Sequence, residues 1–217
     1  MPSVISRRRL GALAIVLAGL LPALCAAQSF EQLLKGANEG NVNAVGVLLD
    51  KGLDPNTADL HGNTLLMIAA REGHKELAVF LIGRKASVAR RSPHGDTALM
   101  YASLKGHLDI VKLLVEHGAP INQDGWAPVH YAAFEGHAET LEYLIEKGAD
   151  KNALAPNGYT PLMLAAREGK IDAATLLLQE DVDLYVKGPK GETALSIARE
   201  RHNKELEELL RRAGAIN

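Results

Sequence analysis

Apolar residues recur along the chain in short stripes with helical spacing. Positions three or four residues apart lie on one face of a helix, so each stripe predicts an amphipathic helix. The stripes are Leu77, Phe80 and Leu81; Ile110, Val111, Leu113 and Leu114; Leu141, Tyr143 and Leu144; and Leu176 and Leu177.

Pairs of alanine mark a second set of helical segments, which alternate with the stripes. The pairs are Ala69 and Ala70, Ala132 and Ala133, and Ala165 and Ala166. Small side chains allow neighbouring helices to approach closely, while the leucine stripes fill the space between helix layers. The two patterns together predict one continuous core.

Glycines give this alternation a fixed period. Gly62 and Gly95 are 33 residues apart, as are Gly125 and Gly158, and Gly158 and Gly191. A period of this length is typical of stacked helix-turn-helix repeats. Gly95 to Gly125 is 30 residues, so one repeat is three residues short.

Start and stop signals agree with this period. A hydroxyl residue suited to N-capping precedes each of four first helices: Thr64, Thr97, Thr160 and Thr193. A glycine that can end the first helix precedes the second helix at Gly73-His74, Gly106-His107, Gly136-His137 and Gly169-Lys170.

The repeated phrases resemble those of ankyrin-repeat proteins, specifically Gly158-Tyr159-Thr160-Pro161-Leu162 and Gly148-Ala149-Asp150-Lys151-Asn152. The resemblance implies an all-α fold, an ankyrin-repeat solenoid of helix-turn-helix units with short β-hairpin fingers. It covers residues 28–217, with units starting near 29, 62, 95, 125, 158 and 191, the first and last of them caps.

Two departures from the repeat predict local irregularities. The missing three residues fall near Asn122 to Asp124, which predicts a stunted finger. Lys85 and Asp181 stand where other repeats have glycine, so each predicts a non-glycine residue in left-handed backbone, at a cost of about 1 kcal/mol. The units after Asp181 are therefore expected to fray first.

The first 27 residues have the organisation of a secretory signal peptide. Arg7 to Arg9 precede an apolar run from Leu10 to Leu24 and the small residues Cys25-Ala26-Ala27. We expect cleavage after Ala27 and a periplasmic address in a bacterial envelope, with an uncleaved membrane anchor as the alternative. The paired arginines also resemble a twin-arginine signal, so the export route stays open.

Residues 28–217 carry 21 basic and 26 acidic side chains, a formal charge of −5. Such a chain offers nucleic acid no general attraction, so no nucleic-acid partner is expected. The single cysteine lies in the predicted signal, leaving no thiol for a disulfide. We expect a monomer with no membrane span once the signal is removed.

No motif in the chain predicts catalysis or a cofactor. Nucleophile elbows and phosphate-binding glycine loops are absent from the sequence. His74, His107 and His137 recur at one repeat position, and His130 is expected to bracket adjacent turns. His61 and His94, one period apart, support an alternative function as a metal or small-ligand carrier, although no third ligand has a suitable spacing.

The aromatic residues Trp126, Phe134 and Tyr159 are the strongest candidates for a binding site. By the family resemblance they face a concave groove, where large rings anchor protein interfaces. The alternative is that Trp126 packs over the stunted finger. The same resemblance places further residues on the groove: Leu60, His61, Asn63, Arg71, Glu72, Asp96, Leu104, Lys105, Asp124, Glu135, Asn157, Arg167 and Glu168.

The predicted function is a non-enzymatic scaffold that binds a partner protein in this groove. Exported ankyrin proteins that support an envelope catalase or another antioxidant enzyme suggest one class of partner. No residue of this sequence identifies that enzyme.

Overall fold

The computed structural model describes residues 28–216, and these are all-helical. The predicted signal peptide, residues 1–27, lies outside the described residues. Twelve helices follow one another in the described part: α1, residues 28–38; α2, Val42–Asp50; α3, Leu65–Glu72; α4, Lys75–Gly83; α5, Ala98–Lys105; α6, Leu108–Glu116; α7, Pro128–Glu135; α8, Ala138–Glu146; α9, Pro161–Glu168; α10, Ile171–Gln179; α11, Ala194–Glu200; and α12, Lys204–Arg212.

The chain divides into two compact units, one ending at Asp54 and one beginning at Pro55. In the first unit, the buried side chains Leu33 and Ala37 of α1 and Val45 of α2 form the core. The Asn41 side chain caps α2 by accepting a hydrogen bond from the Ala44 amide at 2.9 Å.

The second unit stacks its helices in two layers. The first helices α3, α5, α7, α9 and α11 each contact the next in the row, and the second helices α4, α6, α8, α10 and α12 form a parallel row behind them. Alanine pairs of the first row and leucines of the second are buried between the layers. Each repeat therefore buries its apolar faces against its immediate neighbours.

The predicted threonine caps are confirmed. Thr97 Oγ1 accepts a hydrogen bond from the Met100 amide at 3.2 Å, and Thr64, Thr160 and Thr193 cap α3, α9 and α11 in the same way. In α7 the cap position is Ala127, and the His130 ring supplies an alternative, since its Nδ1 accepts from the Ala127 amide at 3.0 Å.

From α3 to α10 each helix pair turns through a left-handed glycine, and a side chain of the next repeat packs against that glycine. Gly106 ends α5 with φ of 69°, and the His137 ring of the next repeat lies where a β-carbon would project. His137 Nε2 also lies 3.0 Å from the Leu104 carbonyl oxygen. Here the glycine is required both by its backbone and by the ring beside it.

Lys85 and Asp181 adopt the predicted left-handed backbone, with φ of 65° and 55°. His202, which the sequence did not single out, is a third such residue, with φ of 56°. In the last repeat, His202 occupies the position that Gly106 occupies in its own repeat.

The fingers are hydrogen-bonded turns in which the predicted β-hairpins are reduced to a minimum. The turn from Ser92 to Asp96 shows the pattern: the Ser92 amide donates to the Asp96 carbonyl at 2.9 Å. Turns 59–63, 155–159 and 188–192 make the same bond. Within the described residues, the only bridge outside these turns joins Ala58 and Thr64, and no strand forms.

The stunted finger is also confirmed. Residues 117–127 connect α6 to α7 in 11 residues, whereas residues 84–97 connect α4 to α5 in 14. No backbone bond closes this short turn in the way seen at Ser92. Instead, the Gln123 side-chain amide donates to the Trp126 carbonyl at 2.7 Å.

Candidate functional site

One repeat position brings the candidate residues to a common surface. The residue after each finger glycine begins the return from the turn into the first helix, and these residues are Asn63, Asp96, Trp126, Tyr159 and Glu192. We use the name first-helix surface for the surface formed by α5, α7 and α9 with Asp96, Trp126, Tyr159 and Glu192.

A chain of hydrogen bonds links three repeats across this surface. The Tyr101 hydroxyl donates to Asn63 Oδ1 at 2.9 Å and lies 3.5 Å from Asp96 Oδ2. The Tyr131 hydroxyl donates to Asp96 Oδ1 at 3.4 Å. The half-buried Asp96 carboxylate therefore joins two tyrosines from neighbouring first helices.

Trp126 follows Tyr101 and Tyr131 along this surface. We use the name aromatic row for Tyr101, Tyr131, Trp126, Phe134 and Tyr159. Its ring centroid lies 5.6 Å from that of Tyr131, and the His130 ring meets it edge-on at 5.8 Å. The ring is half-buried, so part of it stays accessible. Trp126 thus packs beside the stunted finger and also contributes to the first-helix surface.

Arg167 connects the other two predicted aromatic residues. Its guanidinium carbon lies 5.7 Å from the Phe134 ring centroid and 5.5 Å from that of Tyr159. The Tyr159 hydroxyl donates to Glu192 Oε1 at 2.7 Å. The cation–π contacts orient both rings, and the hydrogen bond additionally holds Tyr159.

The other predicted residues differ in their exposure. Leu60, His61, Glu72, Lys105, Asp124, Glu135 and Glu168 are exposed, and Arg71, Asp96, Leu104, Asn157 and Arg167 are half-buried. Four of them form two ion pairs between sequence neighbours, Arg71 with Glu72 at 2.7 Å and Arg167 with Glu168 at 2.8 Å.

Asn63 requires a correction, since the structure buries the side chain that the sequence placed on a binding surface. Only 7% of Asn63 is exposed. Its Nδ2 donates to Asp59 Oδ2 at 3.0 Å, while its Oδ1 accepts from Tyr101. The buried Asn63 side chain therefore orients the Tyr101 hydroxyl.

Sequence reasoning missed Tyr101, Tyr131 and Glu192. Tyr101 and Tyr131 both stand six residues after a finger glycine, Gly95 and Gly125. That shared offset places them on the exposed edge of the first helices and was a usable signal. Glu192 occupies the same repeat position as Tyr159.

Burial has the largest effect on the pKa of Tyr101 and of Tyr131, and the Asp96 charge adds to it. Burial and the nearby Asp96 charge raise the pKa of Tyr131 to about 12, and the same two causes raise the pKa of Tyr101. Both phenols are therefore neutral hydrogen-bond donors at physiological pH.

His130 serves the structural role expected of it. In addition to its bond with Ala127, its Nε2 lies 2.9 Å from the Ala153 carbonyl oxygen, and burial lowers its pKa. His61 and His94 are exposed. Between residues 28 and 216 no three or more side chains of His, Cys, Asp or Glu are grouped to hold a metal ion.

No helix between residues 28 and 216 combines the length and the apolar character that crossing a bilayer requires.

Comparisons with known proteins agree with this architecture. Family models described as ankyrin repeats match residues 33–82, 85–155 and 151–217. The crystal structure of the human ASB11 ankyrin repeat domain superposes with a TM-score of 0.79 and 28% identity, over 85% of this chain and 84% of that one.

Serine/threonine-protein kinase 12 of Arabidopsis thaliana is 34% identical over 94 residues, which are 43% of this chain. The match spans 20% of the kinase's length, so it concerns a part of that protein. The family models and the superposed structure cover most of the described repeats. This chain belongs to the ankyrin-repeat family.

Proposed function

We propose that this protein is a non-enzymatic scaffold that binds a partner protein on the first-helix surface. Ankyrin repeats are generic protein-interaction modules, and the aromatic row is the observation that carries the proposal for this surface. Trp126, Phe134 and Tyr159 are large side chains held in fixed positions by Tyr131 and Arg167.

Fixed anchors favour binding because less conformational freedom is lost when the partner arrives. Each ring packs against a neighbour from its own or the next repeat, so its orientation is set before association. Tryptophan and tyrosine are also the residues that most often dominate interface energies.

The surroundings of the row resemble the rim of a protein interface. The C-terminal ends of α3, α5, α7 and α9 carry both signs of charge, in Arg71, Glu72, Lys105, Glu135 and Glu168. A polar border around an apolar centre is the usual arrangement of such surfaces. It favours a folded or extended polypeptide over a small apolar ligand.

Site-specific photocrosslinking tests the proposal. The photoreactive residue benzoylphenylalanine is placed at Phe134 or at Tyr159 in the full chain. The matched control is Tyr143 on α8, an aromatic residue on the second-helix row, where Lys112 and Lys147 lie over its ring. We expect one partner protein to be crosslinked from positions 134 and 159 and not from 143.

Equal crosslinking from Tyr143, or different proteins from positions 134 and 159, would contradict a single docking surface. Circular dichroism of the three variants provides the control for folding. A Trp126→Ala variant carrying the probe at position 159 is expected to lose most of the crosslinked product.

We also propose that the protein is located in the cell envelope. The sequence of residues 1–27 supports export into the periplasm with removal of the signal after Ala27. N-terminal sequencing of the protein from its native cells is expected to start at Gln28. A mature protein that starts at Met1 would indicate a retained anchor or no export.

An envelope catalase or another antioxidant enzyme is the partner that the family resemblance favours. Deleting this chain is expected to lower the activity of that enzyme without lowering its transcription. Unchanged activity would remove this class of partner and leave the docking surface to be assigned to another protein.

A further inference from the structure

The short connection between α6 and α7 leaves a small cleft beside Trp126. The cleft has a volume of about 160 Å³ and is lined by residues of the 92–96 turn, by the short connection itself and by Pro156. Whole small-molecule ligands need roughly 300–1,000 Å³, so this cleft fits a single side-chain head group.

The cleft is lined by hydrogen-bond acceptors. Asp96 and Asp124 contribute carboxylates, and Gln123 contributes an amide. The Gln123 orientation is fixed because its Nε2 donates to the Trp126 carbonyl, and a flipped amide would bring two oxygens together. Its Oε1 is left buried with no hydrogen-bond partner among the described residues.

The negative charge of the two carboxylates is not neutralised by an ion pair. Within residues 28–216, the Asp96 carboxylate has side-chain contacts only with the neutral hydroxyls of Ser92, Tyr101 and Tyr131, at 3.3 to 3.5 Å. None of the ion pairs found within residues 28–216 involves Asp96 or Asp124.

We infer that this cleft binds one arginine side chain of the partner, with Asp96, Asp124 and Gln123 Oε1 as acceptors and the Trp126 ring as a wall. The inference rests on the proposed function, because the arginine is part of the docked polypeptide. A guanidinium has five donors in one plane and stacks on aromatic rings, which suits this combination of groups. Lysine offers a single ammonium and fits the set less well.

Arg91 and His94 also line the cleft and oppose its negative charge. Both are exposed and project from the 92–96 turn or next to it. Because an incoming arginine has to compete with Arg91, we expect Arg91→Ala to tighten binding. If Arg91 instead contacted the partner, the same substitution would weaken it.

Trp126 is the only tryptophan of the chain, so its fluorescence reports directly on the cleft. The full chain is titrated with the blocked peptide Gly-Gly-Arg-Gly-Gly and with its citrulline counterpart, which keeps the shape and removes the charge. The expected result is a saturable change for the arginine peptide with a Kd on the order of 1 mM. The citrulline peptide is expected to bind at least about tenfold more weakly, since its hydrogen bonds are not charge-assisted.

Substitutions distinguish binding in the cleft from a nonspecific effect of the protein's net charge. Asp96→Asn combined with Asp124→Asn is expected to remove the response, whereas Asp109→Asn combined with Asp172→Asn makes the same charge change on exposed second-helix positions and leaves it intact. Arg91→Ala is expected to strengthen arginine binding about threefold by removing a competing cation. Thermal melts of each variant verify the fold.

Equal responses to the arginine and citrulline peptides would overturn the inference. So would a response that survives in the Asp96→Asn, Asp124→Asn variant, or no saturable change at about ten times the expected Kd. The proposed function is judged separately by crosslinking from Phe134 and Tyr159. A partner crosslinked there without an arginine response would refute the cleft and leave the docking surface standing.

Discussion

Ser103 is a single hydroxyl inside the alanine-rich seam of the first helices. It is fully buried in α5, and its Oγ has no hydrogen-bond partner among the described residues. In the neighbouring repeats Ala70, Ala133 and Ala166 occupy the same position. A buried polar group without a partner costs about 1–3 kcal/mol relative to its hydrated state.

Ser103→Ala is therefore expected to raise the free energy of unfolding by roughly 1 kcal/mol. The measurement is urea denaturation at a single temperature. Ser87→Ala, at an exposed position, is the control and is expected to change stability by less than about 0.5 kcal/mol. A loss of stability in Ser103→Ala would show that the hydroxyl has a favourable contact.

Because of Tyr131, we expect the free energy of unfolding to depend on pH in the alkaline range. Its pKa rises from 10.0 to about 12 on folding, so the folded chain holds the phenolic proton more tightly than the unfolded chain. The Tyr131 contribution to the free energy of unfolding is constant below pH 10 and is lost between pH 10 and about 12.

The test compares denaturation of the unsubstituted chain and of Tyr131→Phe from pH 8 to about 12. We expect the unsubstituted chain to lose more stability than the variant over the upper half of this range. Parallel curves would mean that Tyr131 titrates at its ordinary pKa in the folded chain.

The helices show how neighbouring repeats constrain one another through the turns that join them. Gly106 and Gly148 both have left-handed backbone, with φ of 69° and 90°. A β-carbon on Gly106 would lie 2.5 Å from His137 Nδ1, whereas one on Gly148 would meet nothing within 4 Å. A glycine-to-alanine substitution is therefore expected to cost more stability at Gly106 than at Gly148.

Gly148→Ala is expected to cost about 1–2 kcal/mol through backbone strain alone. Gly106→Ala is expected to cost roughly 1 kcal/mol more, because the His137 ring must leave its rotamer. Adding His137→Ala to Gly106→Ala removes that ring, so the two changes should couple favourably in a double-mutant cycle. Additive losses would contradict the contact.

Helix boundaries could be predicted from sequence because they depend on local chemistry. Thr97 caps α5 through a bond to a residue three positions away, and glycine ends helices in the left-handed backbone that it tolerates. The Asp96 network could not be predicted in this way. Tyr101 reaches Asn63 across 38 residues, and Tyr131 reaches Asp96 across 35.

The burial of Asn63 has the same explanation. Asp59 accepts hydrogen bonds from the Asn63 amide and side chain and so turns that side chain inward, which the repeat position alone does not reveal. The stunted finger was predictable from its missing residues. Its cleft was not, because Gln123 had to close the turn in place of a backbone bond.

Across the stacked repeats, stability is expected to decrease toward the last one. Asp181 and His202 both hold left-handed backbone there, and α11 has seven residues where the other first helices have eight. Contacts in a repeat array are mainly between neighbours, so a weak terminal repeat can open without unfolding the centre.

Hydrogen–deuterium exchange is expected to be faster in α11 and α12 than in α7 and α8. Asp181→Gly combined with His202→Gly should slow exchange in the last repeat and leave the centre unchanged, since each change relieves about 1 kcal/mol of backbone strain. Uniform exchange along the repeats would contradict this gradient.

The proposed scaffold function depends on the whole molecule. A scaffold needs binding side chains whose positions are fixed before the partner arrives. Trp126 is half-buried against Tyr131 and His130 and does not contribute to the main core between the helix layers. Its removal should therefore affect recognition more than folding.

The most direct measurement is the effect of Trp126→Ala on the Kd for the crosslinked partner, set beside its effect on the free energy of unfolding. We expect the Kd to rise about 30-fold or more, corresponding to about 2 kcal/mol, while the free energy of unfolding changes by less than about 1 kcal/mol. An unchanged Kd together with a large loss of stability would show that Trp126 serves only to pack the stunted finger.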